Sequence, residues 1–121
     1  MAKTVAILGA SDNPTRFAYK AHKLLRQHGH STFLVSPKLK ELDGQEAFAS
    51  LDEVSTPIDT LTMYVGPDTS NKLRSEIIAL KAKRVIFNPG SENPELARAL
   101  EAVGVEVVED CTLVMLNANR F

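Results

Sequence analysis

The chain has 121 residues, a length typical of one domain around one buried core, and residues 1–121 are predicted to form a single domain. Hydrophobic residues make up 44% of it and charged residues 24%, which is typical of a folded globular protein. The formal net charge is −1, from 14 basic and 15 acidic residues. This balance excludes the basic excess that nucleic-acid backbones require of a partner.

The cysteine content and the N-terminal residues indicate the cell compartment. Cys111 is the only cysteine, so an intrachain disulfide is impossible and a reducing compartment fits. The apolar stretch that ends at Gly9 is too short for a secretion signal or a membrane span. We therefore expect a cytoplasmic protein without membrane attachment.

The first part of the chain predicts a strand, a loop and a helix. Residues 4–8 are apolar or β-branched on both faces, as in a buried parallel strand. Asn13 followed by Pro14 predicts a helix start, because a capping side chain precedes a residue with a fixed φ. Gly29 predicts the end of that helix. The apolar residues at helical spacing are Phe17, Ala21, Leu24 and Leu25.

The rest of the chain continues the alternation. Strands are predicted at 31–35, 60–65, 84–87 and 105–108. Residues 36–46 are predicted to be a polar loop and residues near Leu51 a short helical turn. One helix is predicted after Pro67 and another between Asn93 and Gly104, while residues 111–121 are left open between a helical turn and a sheet edge.

This alternation predicts an α/β, Rossmann-like, three-layer α/β/α fold with a five-stranded, mainly parallel sheet. The strand order is predicted as 3-2-1-4-5. Ligands of such sheets bind beyond the carboxyl ends of the strands, at the switch point beside the first strand. The polar, glycine-containing loops after the strands are therefore the candidate binding loops.

The loop after the first strand is the strongest candidate for an anion site. It follows a predicted strand and opens a predicted helix, whose free amides attract anions. Only the first glycine of the usual dinucleotide pattern is present, so this is not the NAD fingerprint. An ordinary strand-to-helix turn uses the same residue types, and that reading stays open. The candidate residues are Gly9, Ala10, Ser11, Asn13, Pro14 and Arg16.

The end of the second strand argues against NAD. An NAD ribose calls for Asp or Glu at this point, and the chain instead has Ser36, Pro37 and Lys38, followed by Lys40. A cation here favours a ligand with a ribose phosphate, which is coenzyme A (CoA) or NADP. Solvated loop charge is the competing explanation for both lysines.

Two further loops end predicted strands and join the candidate site, although plain turn chemistry explains them equally well. Their residues are Val65, Gly66 and Pro67 after the third strand, and Asn88, Pro89 and Gly90 after the fourth. No Cys, His or Asp residues have the spacing of a metal site, so no metal is predicted.

Together these pieces resemble the small stand-alone CoA-binding proteins, which are similar to the CoA-binding domain of the succinyl-CoA synthetase α subunit. The matching pieces are Gly9-Ala10-Ser11 with Pro14 and Arg16, Gly29-His30, Val35-Ser36-Pro37-Lys38, Gly44, Ser50-Leu51-Asp52-Glu53, Ile58-Asp59, Asn88-Pro89-Gly90, Gly104-Val105 and Asp110-Cys111-Thr112. Two departures stand out. Ser36 occupies a position where many members have Asn, and Phe87 to Gly90 replace a segment with Trp and Gln.

The resemblance implies CoA or an acyl-CoA held across the strand ends. Its pyrophosphate would lie near Gly9 to Ser11, its adenosine and ribose phosphate beside Ser36 to Lys38, and its pantetheine arm along Val65 to Pro67. Ligase activity is not implied, since 121 residues leave no room for the synthetase's phosphohistidine domain and nucleotide-binding subunit.

Three functions stay open at this point. The first is CoA or acyl-CoA binding without catalysis. The second is a small NADP-dependent oxidoreductase, for which no Tyr-Lys or His proton donor is evident. The third is an interaction module with a vestigial nucleotide site. The apolar tail around residues 113–116, with Phe121, is expected to cover the core or to join a homodimer or a protein partner.

Overall fold

The sheet at the centre of the molecule has seven strands in the order β3-β4-β2-β1-β5-β6-β7, in a computed structural model that describes residues 2–121. All neighbouring strands run parallel except β3 and β4, which form an antiparallel hairpin. The strands are β1 (Thr4–Leu8), β2 (Ser31–Val35), β3 (Glu41–Leu42), β4 (Gln45–Phe48), β5 (Thr60–Met63), β6 (Arg84–Phe87) and β7 (Glu106–Glu109).

Helices cover both faces of this sheet, which confirms the three-layer α/β/α architecture. Side chains alternate across a strand, so Ala6 and Leu8 of β1 enter one core while Val5 and Ile7 enter the other. The first core is completed by α3, α4 and the 3-10 turn, and the second by α1 and α5. The helices are α1 (Phe17–Gln27), α2 (Pro67–Lys72), α3 (Arg74–Ala79), α4 (Pro94–Ala102) and α5 (Thr112–Asn117), with a 3-10 turn at Leu51–Glu53.

The prediction of five strands was wrong, because residues 36–46 contain β3 and the start of β4. The two strands are joined at Asp43 and Gly44, whose φ angles of 54° and 77° are those of a tight hairpin turn. β4 pairs with β2 through only two residues and is half exposed, so it lacks the apolar run that marks an inner strand.

The added strand also changes the order. The predicted order placed the third predicted strand, residues 60–65, beside the second. In the structure β4 pairs with β2 at that place, and residues 60–63 form β5 on the other side of β1. β1 is therefore flanked by β2 and β5, whose connections leave the sheet in opposite directions, and a crevice opens above it.

The first helix begins later than predicted. Asn13 does not cap it; the Asn13 side chain instead accepts hydrogen bonds from the amide and the hydroxyl of Thr15, which form a separate turn. α1 begins at Phe17. Its predicted end is confirmed, since Gly29 has a φ of +85° and the next amide, of His30, donates to Leu25.

The remaining helix predictions hold with one refinement. The Asn93 side chain accepts from the amide of Leu96 and caps α4 as predicted. The helix after Pro67 is divided at Leu73 into α2 and α3. Residues 112–117 are helical, which resolves the ambiguity at the end of the chain. Within residues 2–121, no helix has the length and apolarity to cross a bilayer.

The turn after β1 is held against both neighbouring strands. The amides of Gly9 and Ala10 both donate to the carbonyl of Val35 at the end of β2, at 3.0 and 3.2 Å. On the other side, a Cβ on Gly9 would lie 3.0 Å from Val65 Cγ1 and 3.2 Å from the Tyr64 carbonyl group. Gly9 also has a φ of +92°. Both its conformation and its surroundings therefore require glycine.

We predict that Gly9→Ala destabilises the protein more than Gly104→Ala. Gly104 has a similar φ of +87° but nothing within 4 Å of a built Cβ, so its substitution adds only backbone strain, about 1–2 kcal/mol. Gly9→Ala adds overpacking against backbone atoms, about 1–3 kcal/mol more. Urea unfolding of the two variants measures the difference, and equal losses would contradict the close approach to β5.

A buried histidine links α1 to the β3–β4 hairpin. His22 is fully buried, neither ring nitrogen has a hydrogen-bond partner within residues 2–121, and its Nε2 lies 3.8 Å from Asp43 Oδ2. Burial lowers the pKa of His22 below 6.5, and Arg26 lowers it further, while Asp43 opposes the shift. The folded protein therefore favours the neutral ring.

We predict that this histidine makes the protein acid-sensitive. Above pH 6.5 the ring is neutral in both states; below it the unfolded chain takes up a proton that the folded chain resists. Stability then falls by up to about 1.4 kcal/mol per pH unit until the folded pKa is reached. His22→Leu and His22→Gln should both flatten this fall in urea titrations at pH 7.5, 6 and 5. The part that remains comes from His30, whose pKa burial also lowers. An unchanged slope in both variants would refute the assignment.

Candidate functional site

A cleft of about 990 Å³ opens at the carboxyl ends of β1, β2 and β5. One wall is the turn after β1 with the start of α1. The second is the loop after β2 with the segment that leads into the 3-10 turn. The third is the end of β5 with the faces of α2 and α3. The cleft therefore lies at the switch point that the alternation of strands and helices predicts.

The first wall offers fewer backbone donors than the sequence suggests. Because the amides of Gly9 and Ala10 are bound to Val35, neither is available to a ligand. The Ser11 hydroxyl accepts from the Asn13 amide at 3.0 Å and keeps its own hydrogen for donation. The donors of this wall therefore begin at Ser11.

The start of α1 supplies further donors. Within residues 2–121, the amides of Phe17, Ala18 and Tyr19 have no acceptor, as expected for the first turn of a helix. Arg16 precedes them, and its guanidinium makes no hydrogen bond or ion pair to any residue from 2 to 121. Open amides, a helix N-terminus and an unpaired guanidinium form an environment that attracts anions.

The second wall is held in place by β4. The amide of Ser36 donates to the carbonyl of Phe48 at 2.9 Å, and the Ser36 hydroxyl accepts from the amide of Lys38 at 3.2 Å. Ser36 is buried, whereas Lys38 is exposed and lines the cleft. The hairpin that the sequence analysis missed thus holds the backbone segment that carries Lys38, the second cation.

The third wall consists of residues that the sequence analysis did not select, apart from Val65. Tyr64, Thr69, Leu73 and Glu76 line it. Burial raises the pKa of Tyr64 to about 12, and the nearby hydroxyls of Thr112 and Thr62 offset part of this shift. Tyr64 is therefore a neutral phenol at pH 7. The available signal for the helix residues was the helix predicted after Pro67, and a helical pattern alone does not show which residues face a cleft.

The structure brings part of the predicted site into the cleft and leaves part outside it. Those that line the cleft are Gly9, Ala10, Ser11, Arg16, Ser36, Pro37, Lys38 and Val65. Those outside its lining are Asn13, Pro14, Gly66, Pro67, Asn88, Pro89 and Gly90. Further lining residues that were not predicted include Asp12, Thr15, Phe17 and the segment 49–51.

Asn88 has a structural partner for each of its polar groups. Its amide nitrogen donates to Thr62 Oγ1 at 2.7 Å and to the Met63 carbonyl at 2.8 Å, and its Oδ1 accepts from the Thr112 amide at 2.9 Å. The side chain is only 3% exposed. It joins β5 and β6 to the start of α5, and a contact with ligand stays a prediction for this loop.

No group of three or more His, Cys, Asp or Glu side chains within residues 2–121 is arranged to hold an ion. The thiol of Cys111 is free and half-buried.

Similar proteins match this chain over most of their length. An uncharacterized protein known from a crystal structure is 40% identical, with a TM-score of 0.95, and the alignment covers 100% of this chain and 99% of that one. A Thermus thermophilus protein is 34% identical with a TM-score of 0.91, over 99% of this chain and 91% of its own. The uncharacterized protein YneT of Bacillus subtilis (strain 168) is 26% identical over 96% of this chain and 86% of its own.

The family assignment follows from the sequence match. Residues 3–117 match the family described as CoA binding domain, and this span includes every wall of the cleft. The chain belongs to the CoA binding domain family.

Proposed function

We propose that the protein binds coenzyme A or an acyl-CoA in the cleft at the ends of β1, β2 and β5, without catalysis of its own. The observation that carries the proposal is the pair of cations, Arg16 and Lys38, which form no ion pair within residues 2–121 and lie on two walls of a cleft of about 990 Å³ in a member of the CoA binding domain family. The free thiol of Cys111 fits a protein of the reducing cytoplasm.

The donors of the first wall suit a pyrophosphate. Ser11, Arg16, Phe17 and Ala18 line the cleft, and the amides of Phe17 and Ala18 have no acceptor within residues 2–121. A helix N-terminus stabilises negative charge, and guanidinium binds phosphate oxygens in a bidentate manner. We therefore assign the pyrophosphate to this wall, beyond Gly9 and Ala10, whose amides are already bound.

The second wall suits the phosphorylated ribose. Lys38 follows the end of β2, where proteins that bind an unphosphorylated NAD ribose place a carboxylate. A lysine there would pair with the 3′-phosphate of CoA. It would pair equally with the 2′-phosphate of NADP, and NADP is therefore the competing ligand in every titration.

The direct test is calorimetric titration of the protein with CoA, NADP and NAD. Selective CoA binding with a Kd in the micromolar range, about −8 kcal/mol, is the expected result. Selective NADP binding would contradict the proposal and indicate an NADP-binding protein. If none of the three binds, the interaction-module hypothesis takes precedence.

Lys38→Glu is predicted to weaken CoA about tenfold or more while leaving dephospho-CoA within about twofold, because only CoA carries the 3′-phosphate. Lys40→Glu is the matched control: the same charge change lies two residues on, outside the cleft lining. An equal loss for both ligands would show that Lys38 does not contact the 3′-phosphate.

Arg16→Gln is predicted to weaken CoA and dephospho-CoA alike, since both carry the pyrophosphate. Loss of a charge-assisted hydrogen bond, about 1.5–3 kcal/mol, corresponds to roughly 10- to 100-fold in Kd. Arg98→Gln, on exposed α4 surface away from the cleft, controls for net charge. Unchanged affinity in Arg16→Gln would remove the pyrophosphate from this wall.

A further inference from the structure

The residues from Ser36 to Lys40, which form the Lys38 loop, are held at both ends by β4. The amide of Ser36 donates to the carbonyl of Phe48, and the carbonyl of Lys40 accepts from the amide of Ala47, both at 2.9 Å. β4 itself pairs with β2 through only two residues of each strand. The position of the Lys38 loop therefore depends on the further contacts that hold β4 in place.

The side chain of Gln45 continues the pairing of β4 with β2 where the backbone pairing stops. Leu34 pairs with Ala47, so Thr32 and Gln45, each two residues earlier in its strand, come opposite each other in the same register. The side-chain amide of Gln45 donates to the carbonyl of Thr32, and its Oε1 accepts from the Thr32 hydroxyl at 3.3 Å. A glutamine side chain thus takes the place of backbone pairing at the edge of β2.

The same side chain also binds α1. Gln45 Oε1 accepts from Arg26 Nη1 at 2.8 Å, in the last turn of the helix. Arg16 is the residue before α1, and Lys38 follows β2. Gln45 therefore joins the two elements whose cations line different walls of the cleft.

The neighbouring contacts of the hairpin do not replace this one. Asp43 forms an ion pair with Lys23 of α1, but both side chains are 41% exposed, and exposed ion pairs contribute little to stability. Leu42 is buried in the second core and anchors β3. Gln45 is half-buried and supplies the polar anchor of β4.

We propose that Gln45 is a positioning residue of the site. It holds β4 against β2 and α1, β4 holds the Lys38 loop, and the loop presents Lys38 to the 3′-phosphate of CoA. This inference rests on the proposed CoA binding and on the assignment of Lys38 to that phosphate. A cation that is held in place loses less conformational freedom on binding, so Gln45 favours ligands that carry the 3′-phosphate.

Gln45→Ala should raise the Kd for CoA roughly three- to tenfold, as expected for lost hydrogen bonds, and change the Kd for dephospho-CoA by less than about twofold. An equal loss for both ligands would show a merely structural role and overturn the proposal. Gln27→Ala is the matched control, because it makes the same change on the exposed last residue of α1 and should leave both Kd values unchanged. If Gln45→Ala does not fold, Gln45→Asn, whose amide ends one methylene short of Thr32, is held to the same criterion.

A double-mutant cycle tests whether Gln45 acts through Lys38. In a Lys38→Gln background, Gln45→Ala should change the Kd for CoA by less than about twofold, since no cation is left to be positioned. Losses that add in the double variant would contradict the proposal.

The wild-type protein is titrated with free CoA first. If CoA does not bind, the proposed function and this inference fall together. If CoA binds and Lys38→Glu loses CoA selectively, while Gln45→Ala weakens both ligands equally or neither, only the role of Gln45 is refuted.

Discussion

The carbonyl of Val35 accepts two hydrogen bonds, from the amides of Gly9 and Ala10, and the rest of the site depends on this contact. It ties the exit of β1 to the end of β2. On its other side Gly9 lies close to the backbone of Tyr64 beyond β5, where a Cβ would be only 3.2 Å from the Tyr64 carbonyl group and would crowd it. Three parallel strands thus meet at one turn, and the direction of everything that follows, from Ser11 to the first turn of α1, is set there.

This arrangement explains where the hydrogen-bond donors and the charged side chains of the cleft lie. The turn uses its own first two amides for folding, so the donors left for a ligand lie further along, at Ser11 and at the start of α1. Lys38 is brought to the same cleft by the pairing of β2 with β4, and Glu76 by the packing of α3 against the 3-10 turn. Arg16, Lys38 and Glu76 lie on three different walls because they belong to three different connections between strands of the sheet.

Much of the fold was predictable because its inner elements carry strong local signals. β1 is short and apolar or β-branched on both faces, and the strands beside it are short, largely buried and bounded by Gly or Pro. Asn93 and Gly29 end or begin a helix through interactions with residues close to them in the chain, and both were confirmed as helix boundaries. The prediction that Asn13 caps the first helix was wrong because its side chain closes a turn with Thr15. The residue type alone does not distinguish a helix cap from such a turn.

The hairpin of β3 and β4 marks the limit of such reasoning. Its strands are short and half polar, and they become strands only because the open edge of β2 offers hydrogen-bond partners. Because β4 occupies the place beside β2, β5 lies on the other side of β1, and its end forms the third wall of the cleft. The site residues on that wall are distant in the chain from the glycine turn, and no local pattern relates them to it.

By itself, the sequence determined the class of fold, the position of the cleft at the strand ends and the two cations, Arg16 and Lys38, that line it. These follow from periodicity and from residues close to one another in the chain. Only the tertiary structure decided which amides stay free, which predicted loops reach the cleft and that Glu76 faces it. Those outcomes depend on hydrogen bonds and contacts between distant segments, which exist only after the sheet has assembled.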